Sequence, residues 1–235
     1  MSGLNEMRKA LRKVADPERA RNLSRFFKTG KGEYGEGDRF IGITVPQLRE
    51  ISKKFYYLNI KELQELMNSK VHEERMIALF ILINKYKTTN HKTIITHFYL
   101  KNAEKGNINN WDLVDLSAPN IVGAYLLDKD RRILYELAKS KSLWERRIAI
   151  LATFMFIKYN QFEDSLRIAE ILLKDEHDLI HKAVGWMLRE IGKRDQQQEE
   201  KFLKKYYKNM PRTMLRYSIE KFEEKKRRAY LEGKI

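Results

Sequence analysis

Apolar residues recur three and four positions apart along most of the chain, as in Leu63, Leu66 and Met67, in Ile77, Leu79, Phe80 and Ile83, and in Leu166, Ile168, Ile171 and Leu172. That spacing puts them on one face of an α-helix with ~3.6 residues per turn. The period-2 alternation and hairpin turns of strands are missing, so the pattern predicts an all-α protein. The four prolines stand where helices can begin: Pro17 after Asp16, Pro46 near Thr44, Pro119 after Ser117, and Pro211 ahead of an arginine-rich run. A first helical turn tolerates proline because its N–H has no intrahelical partner anyway. Gly30, Gly32, Gly35, Gly37 and Gly42 gather in one segment, which marks 29–43 as a flexible loop between helices. No strand precedes it and no Gly-Lys-Ser/Thr follows, so it is not a phosphate-cradling loop. The helical pattern then runs from 45 to 228 without interruption. This predicts one domain over residues 1–235, with 225–235 as a frayed C-terminal tail.

A weak repeat emerges when the helices are overlaid. Glu74-Arg-Met-Ile-Ala78, Glu145-Arg-Arg-Ile-Ala149 and His181-Lys-Ala-Val-Gly185 each place a polar or basic pair, then apolar residues, then a small one. Ala78 and Ala149 lie 71 positions apart, twice 35.5, and Ala149 and Gly185 lie 36 apart. Helix pairs at this interval suggest an α-solenoid of HEAT-like, armadillo-type repeats, somewhat shorter than the usual ~40–47 residues. Chance competes with that reading, since any helical protein offers Arg-x-x-Ala somewhere. In the repeat register Arg75, Arg147 and Lys182 share nearly one slot, which predicts a basic column on a concave face, a track for a phosphate backbone.

Charge points the same way. Lys and Arg number 47 against 32 Asp and Glu, a formal net charge of +15. Such an excess favours a polyanionic partner, nucleic acid before an acidic membrane surface. The competing reading is a solubilising charged surface, with 34% of residues charged. No cysteine is present, which excludes disulfides and thiolate metal sites. The N-terminal residues lack the apolar core of a secretory signal, and the longest apolar stretch, 148–157, is interrupted by Thr153 and falls short of the ~20 residues that span a bilayer. A soluble intracellular protein is the expectation. His177 and His181 stand four apart but lack the glutamate before His181 that a zinc-protease helix needs, so no metal site is expected. Phe98-Tyr99 and Tyr206-Tyr207 read as packing residues rather than base-stacking platforms.

The most informative segment is Asn110-Trp-Asp-Leu-Val-Asp115. Four residues is a little over one helical turn, so Trp111 and Asp115 share a face while Asp112 points elsewhere. On spacing alone the tryptophans read as core, and Asp115 as a capping or salt-bridged carboxylate with Arg147 as one partner.

Taken together, Asn110-Trp-Asp-Leu-Val-Asp115 followed by Pro119, Trp144-Glu-Arg-Arg147-Ile-Ala-Ile-Leu151, Lys182-Ala-Val-Gly-Trp186-Met-Leu-Arg189-Glu190 and Phe40-Ile-Gly-Ile-Thr-Val-Pro46 resemble the AlkD family of DNA alkylation repair glycosylases. The signatures occur in order from about residue 26 to 195. The resemblance implies HEAT-like repeats whose concave face holds duplex DNA. It implies Asp115 as the catalytic carboxylate, Trp111 and Trp186 flanking the sugar of the damaged nucleotide, Arg147 on the neighbouring backbone and Arg189 on phosphate. Family members contact the lesion from the backbone side, without a pocket for an extruded base. Lys182, Arg75 and Thr44 complete the expected DNA contacts. Thr44 stands where some relatives carry a longer polar amide, and Phe26-Phe27 where a tyrosine can occur, in an N-terminal region that would close over DNA.

The chemistry can be argued from the residues themselves. Glycosidic cleavage passes through an oxocarbenium-like state, for which sugar hydrolases commonly employ two carboxylates. A purine alkylated at N3 or N7 already carries positive charge and leaves without a proton, so one carboxylate suffices. Asp115 is then expected to stabilise the cationic sugar and orient water, beside indole faces that attract a cation. The expectation is a monomeric enzyme without cofactor, acting on duplex DNA that contains alkylated purines. The rival is a non-catalytic HEAT-like scaffold that binds nucleic acid or an acidic protein.

Overall fold

The computed structural model describes residues 3–235 and is helical almost throughout. Among the described residues the extended pairing is one isolated bridge, Arg39 to Val71. The chain folds as two compact units, Met1–Ser117 and Ala118–Ile235. No described helix is long and apolar enough to cross a membrane.

The first unit holds α1 (Gly3–Val14), α2 (Pro17–Phe26), α3 (Val45–Lys54), α4 (Ile60–Met67), α5 (His72–Thr88), α6 (Lys92–Glu104) and α7 (Trp111–Ala118), the unit boundary falling at the end of α7. Asp16 caps α2 by accepting from the backbone of Glu18 and Arg19 at 3.0 Å each, with Pro17 in the first turn. Gln47 ties the start of α3 by accepting from both the backbone and the hydroxyl of Thr44. The spine is α5: every residue from His72 to Ile83 is buried, and α3, α4 and α6 pack around it. A helix closed in on all sides needs apolar residues all round, which the run 76–83 supplies. Its first turn instead carries four polar side chains, His72, Glu73, Glu74 and Arg75, all under 9% exposed.

Arg8 of α1 pairs with Glu74 at 3.0 Å, and the loop 29–43 supplies partners to the other three. Gly32, Gly37 and Gly42 have positive φ. At Gly42 a β-carbon would stand 2.0 Å from the Asp16 carbonyl, so the loop can pass α2 this closely only with glycine there. Glu73 reaches the loop from α5: its Oε1 accepts from the backbone N–H of Ile41, Gly42 and Ile43 at 3.0, 2.8 and 3.3 Å. The expected loop is present, but it is tied to a buried carboxylate rather than flexible.

The second unit opens with a π-helical turn (Pro119–Gly123) that prolongs α7 into α8 (Ala124–Leu126). Pro119 therefore sits within a continuing helix rather than starting a separate one. There follow α9 (Arg132–Ala138), α10 (Leu143–Lys158), α11 (Glu163–Ile171), α12 (Asp178–Gly192), α13 (Gln196–Tyr206), α14 (Arg212–Ser218) and α15 (Glu224–Leu231). Helix α10 packs on α9, α11 and α12, and α12 in turn on α11, α13 and α14. Each helix pair rests chiefly on the next, the nearest-neighbour order of a helical repeat. The predicted register is visible here: Ala149 is fully buried, and a β-carbon on Gly185 would come within 2.5 Å of the Met214 carbonyl and of Tyr217 Cβ. The small residue of the repeat marks where one helix crosses the next at close range.

The end of the chain corrects an expectation. Residues 225–235 are not frayed: α15 inserts Tyr230, 1% exposed, against Tyr207 and Phe222, and the Tyr207 hydroxyl donates to the carbonyls of Gly233 and Ile235 at 3.3 and 2.6 Å.

Candidate functional site

In α7, Leu113, Val114, Ser117 and Ala118 are fully buried, whereas Trp111 and Asp115, one turn apart, are half-buried. The shared face expected from their spacing is present. Asp115 lies near the buried Tyr99, whose hydroxyl is pushed far up, first by burial and further by the Asp115 carboxylate, while a 2.9 Å hydrogen bond with the Ser117 hydroxyl works the other way.

Asp112 does point elsewhere, into a buried ionic cluster. Its Oδ2 meets His72 Nε2 at 2.8 Å, and the other ring nitrogen, Nδ1, meets Asp38 Oδ2 at 3.3 Å. Burial opposes a charge on His72, but Asp112 and then Asp38 outweigh it and push its pKa up to about 9. Asp38 also pairs with Arg75 at 2.7 Å and accepts from Asn109 at 3.1 Å. Burial would raise its pKa; the His72 hydrogen bond and the Arg75 charge hold it lowered. Two carboxylates, an imidazolium and a guanidinium thus neutralise one another out of contact with water.

Over this cluster runs a ladder of rings. His72 stacks on Phe40 at 4.5 Å between centroids, Phe40 on Phe27 at 5.0 Å, and Phe27 on Trp111 at 5.1 Å. Phe26 adds an edge to Trp111 at 6.0 Å and is 64% exposed. Phe26, Phe27, Phe40, Ile43, Thr44 and Met76 are among the residues that line a cavity of about 230 Å³. Thr44 sits at its rim, where α3 begins.

Arg75 differs from its expected role. It is 4% exposed, and its guanidinium is held by Asp38, by Asn109 at 3.0 Å and by the Ser69 carbonyl at 2.7 Å. It fastens the loop to α5 rather than presenting charge to solvent. Its neighbours in sequence, all ionisable, gave no hint of burial because their partners lie 30 to 66 positions away.

In the second unit, Arg147 is likewise 4% exposed and donates to the Leu179 carbonyl in the first turn of α12. This is again a buried anchor, not the presented cation that its repeat slot suggested. On α12, Lys182 forms a one-turn pair with Asp178 at 2.6 Å and is 40% exposed. Trp186 is half-buried; its Nε1 donates to Glu190 at 3.0 Å and its ring tilts against Phe154 at 5.9 Å. Arg189, 18% exposed, is held by Glu220 and faces Glu190 at 3.6 Å, so both ends of its fork already meet carboxylates. Of the expected phosphate contacts in this unit, Lys182 is the most exposed, and its partner Asp178 is a solvent-exposed carboxylate, a weak pairing that a phosphate can displace.

His177 accepts from the Leu179 N–H to cap α12, and His181 bonds the Asp175 carbonyl. Among the described residues no group of three or more His, Asp or Glu stands close enough to hold a metal ion.

No curated protein matches the chain. Among solved structures it is similar to a predicted DNA alkylation repair enzyme from Enterococcus faecalis, with a TM-score of 0.68 and 17% identity over 89% of this chain and 97% of that one. That likeness concerns the fold. The family model described as DNA alkylation repair enzyme matches residues 7–222, a span that takes in α7, α10 and α12 entire. The chain belongs to the DNA alkylation repair enzyme family.

Proposed function

We propose that the protein is a DNA glycosylase that hydrolyses the N-glycosidic bond of cationic alkylated purines, N3-alkyladenine and N7-alkylguanine, in duplex DNA, the opening step of base excision repair. The observation that carries the reading is α7: it keeps an indole and a carboxylate half open on one face while Asp112, Leu113, Val114, Ser117 and Ala118 are closed. A helix end built only for packing has no reason to leave an ionisable group there.

In the proposed step the C1′–N bond breaks with its electron pair going to the purine, which departs neutral because it began as a cation. Asp115 offsets the charge left on the sugar and aligns water, whose oxygen bonds to C1′ and whose proton passes through the carboxylate to solvent. Trp111 offers its ring to the same cation. The step needs no second acid, since the leaving group arrives charged; ordinary purines, being neutral, react poorly. Trp186 and Lys182 on α12 are proposed to meet the duplex from the second unit, with Lys182 exchanging Asp178 for phosphate. In this reading Arg75, Arg147 and Arg189 act as anchors within their units.

The test is release of free base. Duplexes carrying N7-methylguanine or N3-methyladenine should yield the methylated base with the native protein, and matched undamaged duplexes should yield none. Binding to both duplexes with release from neither favours the non-catalytic scaffold.

A further inference from the structure

We propose that His72 is a positioning residue for Trp111, setting the indole both through the Asp112 carboxylate on the first turn of α7 and through the ring ladder. Two independent routes run from one imidazole to one indole. The first is ionic: His72 Nε2 holds Asp112 at 2.8 Å, and Asp112 is the residue next to Trp111. The second is steric: Phe40 and Phe27 fill the distance between the two rings, with successive planes only 24°, 18° and 16° apart. Rings that near to parallel transmit a tilt of the first to the last, because a packed interior has little slack.

The device depends on a proton. Asp38 and Asp112 face opposite nitrogens of the ring, and a carboxylate only accepts hydrogen bonds. The imidazolium donates to both. A neutral ring donates to one and turns a lone pair towards the other, so one anchor is lost and the ring must rotate or shift. The charged and polar groups around it are Asp38 and Asn109 from the loops, Asp112 from α7, and Glu73 and Arg75 from its own helix. The missing donor belongs to the ring itself, and the terminal nitrogens of Arg75 are already bonded to Asp38, Asn109 and Ser69, with its Nε alone left without a partner. The consequence for catalysis rests on the proposed role of Trp111, whereas the positioning itself can be read without substrate.

The full chain labelled with 5-fluorotryptophan gives one fluorine signal for each of its three tryptophans, and Trp111→Phe identifies the relevant one. In the native protein that signal should shift with a midpoint near pH 9, the value at which His72 loses its proton. In His72→Gln it should stand displaced at neutral pH and no longer titrate; in Asp112→Asn, which removes the ionic route and leaves the ring ladder and the Asp38 contact, it should stand displaced and titrate at lower pH. A Trp111 signal that is flat through this range in the native protein, or unmoved in position and titration by His72→Gln, overturns the proposal. The native titration decides the matter even if the variants fail to fold. On an N7-methylguanine duplex at neutral pH, His72→Gln should lower the single-turnover excision rate by about 10-fold with duplex affinity unchanged. If the native protein releases no base, the glycosylase reading fails while the fluorine titration still decides the role of His72.

Discussion

Replacing Glu73 tests how the loop 29–43 is held, and its expected cost follows from the donors counted around one carboxylate. Glu73 is 1% exposed, and its Oε1 accepts from three consecutive backbone N–H groups, those of Ile41, Gly42 and Ile43, with Oε2 sharing the first at 3.1 Å. Glu73→Ala leaves those donors without the oxygen, and each buried unmet donor costs about 1–3 kcal/mol. Water can enter the space vacated and recover part of this, so the net loss should be about 3–5 kcal/mol. Glu73→Gln is the sharper comparison. Its single oxygen can occupy the Oε1 position and keep all three N–H groups satisfied, while its amide nitrogen replaces Oε2 and confronts the Ile41 N–H, donor against donor. A cost of about 1–2 kcal/mol is expected, from lost charge assistance and that one repulsion. Urea unfolding followed by circular dichroism measures the global change, and amide hydrogen exchange at Ile41, Gly42 and Ile43 measures the local one. If Glu73→Ala costs under about 1 kcal/mol and exchange at these amides is unchanged, the carboxylate is not what holds the loop.

Stability should fall as pH rises through the mildly alkaline range, for two separable reasons. His72 has a raised folded pKa, so its contribution is complete below its ordinary value near 6.5 and disappears as pH climbs through about 9, a change on the order of 3 kcal/mol that His72→Gln should flatten. In the second unit Glu199, pushed up to about 9 mainly by burial and further by Glu200, stays protonated when folded and destabilises increasingly above pH 4.5; Glu199→Gln should stabilise the protein, with a gain that grows towards pH 9. Gly185→Ala should lower thermal stability by about 1–3 kcal/mol, because the new methyl meets backbone of α14 at 2.5 Å; a neutral result contradicts the close crossing. Lys182→Ala should reduce the slope of log affinity for duplex DNA against log salt by about one unit with folding intact, whereas Arg147→Ala should cost about 3 kcal/mol of stability; the reverse pattern would make Arg147 the phosphate contact.

The helical class, the loop at 29–43 and the face shared by Trp111 and Asp115 were legible in the sequence because each rests on spacing within one segment. The small residue of the repeat was legible too, since Gly185 must be small wherever helices cross closely. What stayed hidden is pairing across distance. His72-Glu-Glu-Arg75 looks like a solvated helix start, and nothing local says that Asp38, Asp112 and three loop amides will enclose it. The same blindness made Arg75 and Arg147 look like presented cations: a repeat register says which slot a residue takes, not whether a carboxylate or carbonyl will fill the space before it. One signal was available. Four ionisable residues in a row directly ahead of Met76-Ile-Ala-Leu-Phe-Ile-Leu-Ile83, with no polar face afterwards, require partners from elsewhere in the chain.

The central claim is that the Asp115 carboxylate breaks the glycosidic bond of a charged purine. Single-turnover release of N7-methylguanine from a duplex by the native protein and by Asp115→Asn measures it directly. The account predicts release by the native protein and a loss of about 100-fold or more in the variant, with duplex binding retained. Equal release by both proteins, or binding by both with no release from either, would contradict it.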